Sequence, residues 1–156
     1  MEDGSVVDRD AARVVLVDGD GRVLLIEMRD PFDPERGWYW VTPGGGREQS
    51  ESAEECAVRE VFEETGLRLD PRNLGPVRRE ETTEYGFEGE LIRQHQVIFV
   101  VRVDSFVADT SGWEAAEMRS QREVRWWTRE ELAITEEIVY PEDLLALVAP
   151  GTYGRK

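Results

Sequence analysis

The stretch REVFEETGL, Arg59 to Leu67, sets Glu60, Glu63 and Glu64 at helical spacing. At about 100° per residue the three carboxylates share an arc of about 100°, which Ala53 and Ala57 continue, while Val58, Val61 and Phe62 lie roughly opposite. Like charges three and four residues apart weaken a helix by roughly a few tenths of a kcal/mol per pair. Bound to a cation, the same group becomes attractive. Carboxylates are hard oxygen ligands suited to Mg²⁺ or Mn²⁺, and Mg²⁺ usually keeps waters and shares substrate phosphates. The pattern therefore points to a divalent-cation site that meets a phosphorylated ligand. A solvated acidic helix face is the plainer alternative. It leaves unexplained both the small residues on that face and the glycines just upstream. Gly44, Gly45 and Gly46 permit close backbone approach. Placed directly before the acidic helix, they are expected, with Arg47, to shape a phosphate subsite. GGGREQSES lacks the Gly-Lys-Ser/Thr ending of a P-loop.

The elements around this segment are legible in outline. Ser52 and Glu55 form a capping box at the start of the helix and Gly66 supplies its stop. Upstream, ARVVLVDGDGRVLLIEM reads as a β-hairpin turning at Asp18 to Gly21, RDPFDPERG as a loop, and WYWVTP as a short strand ended by Pro43. Downstream, GPVRREETTEY and ELIRQHQVIFVVRVD read as two long strands around GFEGE. SFVADTSGWEAAEMRSQ reads as an irregular acidic stretch and EVRWWT as a strand. TREELA and YPEDLLALVA read as short helices. Strands on both sides of a central helix predict an α/β fold layered around a mixed β-sheet. No repeat or linker divides the chain, so one domain is expected over residues 11–150, behind a polar leader at 1–10.

Composition narrows the partners. The 156 residues carry 34 Asp plus Glu against 19 Lys plus Arg, a formal net charge of −15. That disfavours a nucleic-acid duplex or an anionic membrane, but not a small phosphorylated ligand carried by a cation. Cys56 is the only cysteine, which excludes an internal disulfide and fits a cytoplasmic protein. MEDGSVVDRD has neither the basic start nor the apolar run expected of a signal peptide, and no apolar stretch approaches ~18 residues.

Gly45, five residues, Glu51, seven residues, Arg59-Glu60-Val61, one residue, Glu63-Glu64, one residue, Gly66-Leu67: this spacing resembles the complete Nudix box of the Nudix hydrolase superfamily. The resemblance implies an α/β/α sandwich and cleavage of a pyrophosphate linkage in a nucleoside diphosphate joined to another moiety. It implies that Glu60, Glu63 and Glu64 ligate Mg²⁺ or Mn²⁺, with the Gly44 carbonyl as a further ligand. Glu51 and Arg59 would orient and neutralise their neighbours. Many members use a further glutamate from a later segment as base; among Glu114, Glu117 and Glu123, Glu123 is favoured. His95 and Cys56 are read as packing or hydrogen-bonding residues. Trp38, Tyr39, Trp40, Tyr85, Phe87 and Trp126 are candidates to stack a base, and Arg29, Arg36, Arg47 and Arg93 to meet phosphates. Nucleotide sugar, ADP-ribose, (d)NTP and dinucleoside polyphosphate all stay open as substrates, as does a homodimer. A Nudix-fold module that binds a nucleotide without cleaving it is the alternative to an enzyme.

Overall fold

The computed structural model describes residues 6–148. Strand β1 (Val7–Val17) turns at Asp18 and Gly21 into β2 (Val23–Met28), whose first five residues are buried. The Asp18 carboxylate closes that turn by accepting the N–H groups of Asp20 and Arg22 and the Ser105 hydroxyl. β3 (Tyr39–Val41) follows a loop containing a 3₁₀ turn at Pro34–Arg36. The three glycines are not a loose loop: they form β4 (Gly44–Gly46), antiparallel to β1, with Ala12 opposite Gly45 and Arg13 opposite Gly44. Helix α1 (Ala53–Thr65) leads on to the long pair β5 (Arg79–Phe87) and β6 (Glu90–Arg102). The chain closes with α2 (Ala115–Ser120), β7 (Gln121–Trp127), α3 (Arg129–Ile134), β8 (Val139–Tyr140) and α4 (Leu144–Leu147).

The main path of the sheet runs β5-β6-β1-β2-β3-β8, with β4 added to β1 and β7 to β2. β1 is parallel to β6 and β3 to β8, while the other pairs are antiparallel, so the sheet is mixed. Alternation along the strands builds two cores. On one face Val14, Leu16, Leu24 and Phe99 pack against Cys56, Ala57 and Val61 of α1. On the other, Val15, Val17, Leu25, Ile98, Trp40 and Trp127 pack against Leu144 and Leu147 of α4. This is an α/β/α sandwich around a curled sheet.

Three expectations change. Residues 7–10, read as part of a polar leader, belong to β1: their side chains are largely exposed, yet the backbone pairs with β6 from Val7 opposite Ile92 onward. Residues 1–5 of that leader lie outside the described residues. The acidic stretch after β6 contains α2, a helix too short to show an apolar period. The late helix of YPEDLLALVA is only four residues long, and β8 precedes it.

Candidate active site

Helix α1 sets the site, and its ends fix its register. The Ser52 hydroxyl accepts the Glu55 N–H at 3.0 Å, and the Glu55 carboxylate accepts the Ser52 N–H at 2.9 Å. Gly66 closes the helix in the left-handed region at φ 83°, where a Cβ would meet the Asp109 side chain at 2.9 Å. With Cys56, Ala57 and Val61 on the sheet, Glu60 and Glu64 turn inward toward β4, whereas the Glu63 side chain is 44% exposed. Burial holds the Cys56 thiol up at about 11, so it is no nucleophile.

Arg59 is the hub of the acidic group. Its Nε and Nη2 grip both oxygens of Glu51, Nη2 also donates to the Gly46 carbonyl at 2.9 Å, and Nη1 reaches Glu60 at 2.9 Å and Glu63 at 3.2 Å. The hydrogen bond from Arg59 holds the Glu51 carboxyl below its ordinary range. The expected Glu51–Arg59 partnership is thus a two-pronged ion pair.

Glu64 is held otherwise. Its side chain is buried, Oε1 accepts the Gly44 N–H at 2.9 Å, and Oε2 lies 3.4 Å from Nε2 of Gln121 on β7. The Trp113 indole N–H bonds its backbone carbonyl at 3.0 Å. Burial, then the nearby Glu60 charge, lifts the Glu64 carboxyl to about 8. Burial likewise raises Glu60, helped by Glu63 and opposed by Arg59. Arg13, on β1 opposite Gly44, pulls both back down. A buried carboxylate, Glu64, near the half-buried, Arg59-paired Glu60 is costly when ionised and matches the needs of a hard cation.

The glycines make the approach possible. A Cβ on Gly45 would fall 2.5 Å from the Glu60 carboxylate, and one on Gly44 would fall 2.4 Å from the Ala12 carbonyl oxygen. The contact Gly44 makes with the acidic group is through its N–H. Arg47 turns elsewhere. It approaches Asp10 at 3.4 Å and lines a cavity of about 320 Å³ with Ala53, Thr82 and His95. Among the described residues no three His, Cys, Asp or Glu side chains are arranged to hold a metal ion. Glu60 and Glu63 converge on Arg59 instead.

Glu123 is not brought to this group. Alternation along β7 places it with Arg125 and Trp127, which contact the core on the far side of the sheet from α1, and it is exposed. Glu117 accepts the Glu114 N–H at the start of α2. The side chain from this segment that reaches a carboxylate of the box is Gln121, an amide and not an acid. Arg13 and Trp113 were missed as well, since an arginine in a strand and a tryptophan in a loop carry no periodic signal. Of the expected stacking residues, Trp40 is core, Trp126 donates to the Phe106 carbonyl, and Tyr85 donates to Gln94. Trp38 lies under the guanidiniums of Arg29 and Arg122. Arg36 lies over the buried Tyr39 and donates to the Gly86 carbonyl, and Arg93 pairs with Glu84. His95 contacts Thr82 and Asp8.

Comparison with known proteins shows the family and the fold. The NUDIX domain family profile matches residues 7–147. The chain is 33% identical over 87 residues to the Nudix hydrolase YvcI of Bacillus subtilis, covering 56% of this chain and 49% of that protein, so it spans about half that relative's length. It is 29% identical over 161 residues to the RNA pyrophosphohydrolase of Teredinibacter turnerae, covering 93% of this chain and 90% of that one. The MutT protein of Methanosarcina mazei Go1 shares the fold at TM-score 0.65 and 18% identity, over 92% of this chain and 94% of that one. The E. coli ORF135 protein does so at TM-score 0.59 and 21% identity, over 94% of each. No helix among the described residues is long and apolar enough to cross a membrane.

Proposed function

The chain belongs to the Nudix family, and on that premise we propose that it is a divalent-cation-dependent pyrophosphohydrolase. It cleaves the phosphoanhydride of a nucleoside diphosphate linked to a further group. One observation carries the reading: Glu64 is a buried carboxylate beside Glu60, with an amide N–H and a glutamine but no guanidinium at hydrogen-bond distance among the described residues. Ionised, such a group is an electrostatic liability unless a cation joins it. The donor set, all carboxylate oxygen, fits Mg²⁺ or Mn²⁺. Glu60, Glu63 and Glu64 would hold the ion.

When bound, the ion supplies charge neutralisation for the diphosphate and a water of lowered pKa. The rest is the work of the chain. Arg59 fixes Glu51 and restrains Glu60 and Glu63, so the acidic face keeps one orientation. The Gly44 N–H and Gln121 hold Glu64. The proton of the attacking water would pass to a carboxylate of this acidic group. Glu123 is not assigned this role.

The substrate is to be found with a panel: nucleotide sugars, ADP-ribose, (d)NTPs, dinucleoside polyphosphates and, given the relative named above, a 5′-pyrophosphorylated RNA. Each is incubated with Mg²⁺ or Mn²⁺ and its products are identified by mass. Phosphoanhydride cleavage of at least one is expected. Binding without cleavage across the panel would replace the enzyme by a nucleotide-binding module.

A further inference from the structure

Gln121 is 6% exposed, and its amide has two ends with different fates. The nitrogen lies 3.4 Å from Glu64 Oε2. The oxygen is buried with no hydrogen-bond partner among the described residues. A buried amide oxygen left without a donor costs about 1–3 kcal/mol, so an orphan beside the acidic group calls for a ligand that donates. The position is also firmly built. The Gln121 N–H caps α2 by bonding the Glu117 carbonyl, and the Arg29 N–H bonds the adjoining Ser120 carbonyl at 2.8 Å. A register shift follows at once: Gln121 faces Met28 and Glu123 faces Glu27, leaving Arg122 as the extra residue. Arg122 is tied back by two bonds to the buried Glu27, at 2.7 and 2.9 Å, and lies over the Trp38 ring. The bulge is therefore anchored on both sides of the glutamine.

Resting on the cation-dependent reading above, we propose that Gln121 is a positioning residue of the cation site. Its Nε2 steadies Glu64, and its Oε1 accepts a hydrogen bond from a water of the hydrated cation. The segment thus supplies a neutral acceptor where an acid was expected. A fourth carboxylate would have added charge to a pocket that already crowds Glu60 against Glu64.

The test is a calorimetric titration of Mn²⁺, without substrate, into the parent chain, Gln121→Met and Gln121→Glu, with metal-free melting recorded for each. Methionine matches glutamine in length but offers no comparable acceptor. Its Mn²⁺ affinity is expected to fall about 10- to 100-fold, the usual cost of losing such a partner. Glutamate keeps the acceptor oxygen and is expected to bind Mn²⁺ at least as tightly as the parent, while melting lower without metal. Turnover lost in Gln121→Met should return as Mn²⁺ is raised, which a purely structural defect would not allow. A Gln121→Met chain that binds Mn²⁺ within about twofold of the parent, or a Gln121→Glu chain that binds more weakly, overturns the inference and leaves the hydrolase reading standing. A parent chain that binds no Mn²⁺ overturns both.

Discussion

Two regions of this molecule are both rich in glutamate and have opposite fates. On β5, within REETTEYGF, Glu81 accepts from Gln96 at 2.7 Å and meets Arg79 at 3.4 Å, and Glu84 pairs with Arg93 at 3.0 Å. Arg79 in turn grips Asp143. Partners there are plentiful, and Glu84 and Arg93 stand half in water. On α1 a single guanidinium serves Glu51, Glu60 and Glu63, while Glu64 is sealed in beside Gly44. Composition alone does not separate the two regions. Burial does: β5 is an edge strand, where a carboxylate costs little, whereas α1 lies against the sheet, where each carboxylate must be neutralised, protonated or joined by a cation.

The sharpest contrast is expected from removing charge at each place. Glu64→Gln and Glu60→Gln should each lower turnover on the order of 10²-fold or more, since losing part of a cation's stabilisation is a loss of several kcal/mol. Glu64→Gln should also melt at or above the parent temperature without metal near pH 8, because it deletes a buried charge. A variant with near-parental turnover would place α1 in the same class as β5.

Arg59→Ala is next in size. The Arg59 side chain is 23% exposed and that of Glu51 14%. Losing the arginine leaves buried acceptors unpaired and should cost roughly 1–3 kcal/mol in melting experiments, with turnover falling too. A variant indistinguishable from the parent would show that the pair neither steadies the helix nor orients the site.

A pH series sharpens the contrast further. The folded-state pKa of Glu64 lies at about 8, above the ordinary carboxyl value of 4.5. Between those values the folded chain binds the extra proton, so this group's contribution to stability is present at low pH and is lost as pH rises toward 8. Metal-free melting should therefore fall across that window, and Glu64→Gln should flatten the slope. A parent slope unchanged by the substitution would remove Glu64 as its cause. The smallest effect belongs to β5: Glu84→Gln should change stability by no more than about 0.5 kcal/mol and leave turnover unaltered. A large loss there would erase the distinction between the regions.

Much of this was legible in residues whose physics is local. The capping pair Ser52 and Glu55, the stop at Gly66, the strands around Asp18–Gly21 and the helical arc of Glu60, Glu63 and Glu64 each follow from spacing along a few turns. What was not legible depended on distant packing. Gly44 to Gly46 carry no strand signature, yet they pair with β1, where only a bare backbone fits between Arg13 and Glu60. Glu123 was an acid at a suitable place in the chain, but a one-residue bulge decides which side chain enters the site, and it selects Gln121. Residues 8–10 are polar for the same kind of reason: polarity reported the exposure of their side chains, not the pairing of their backbone.

The most direct measurement is the turnover of the responding substrate as the cation is withdrawn and restored. The chain is stripped with excess chelator, assayed, and assayed again after Mg²⁺ is added back, with Glu64→Gln alongside. The account predicts no detectable cleavage after stripping, recovery on adding Mg²⁺ in the parent, and little recovery in Glu64→Gln. Cleavage that survives exhaustive chelation, or full recovery in Glu64→Gln, would contradict it.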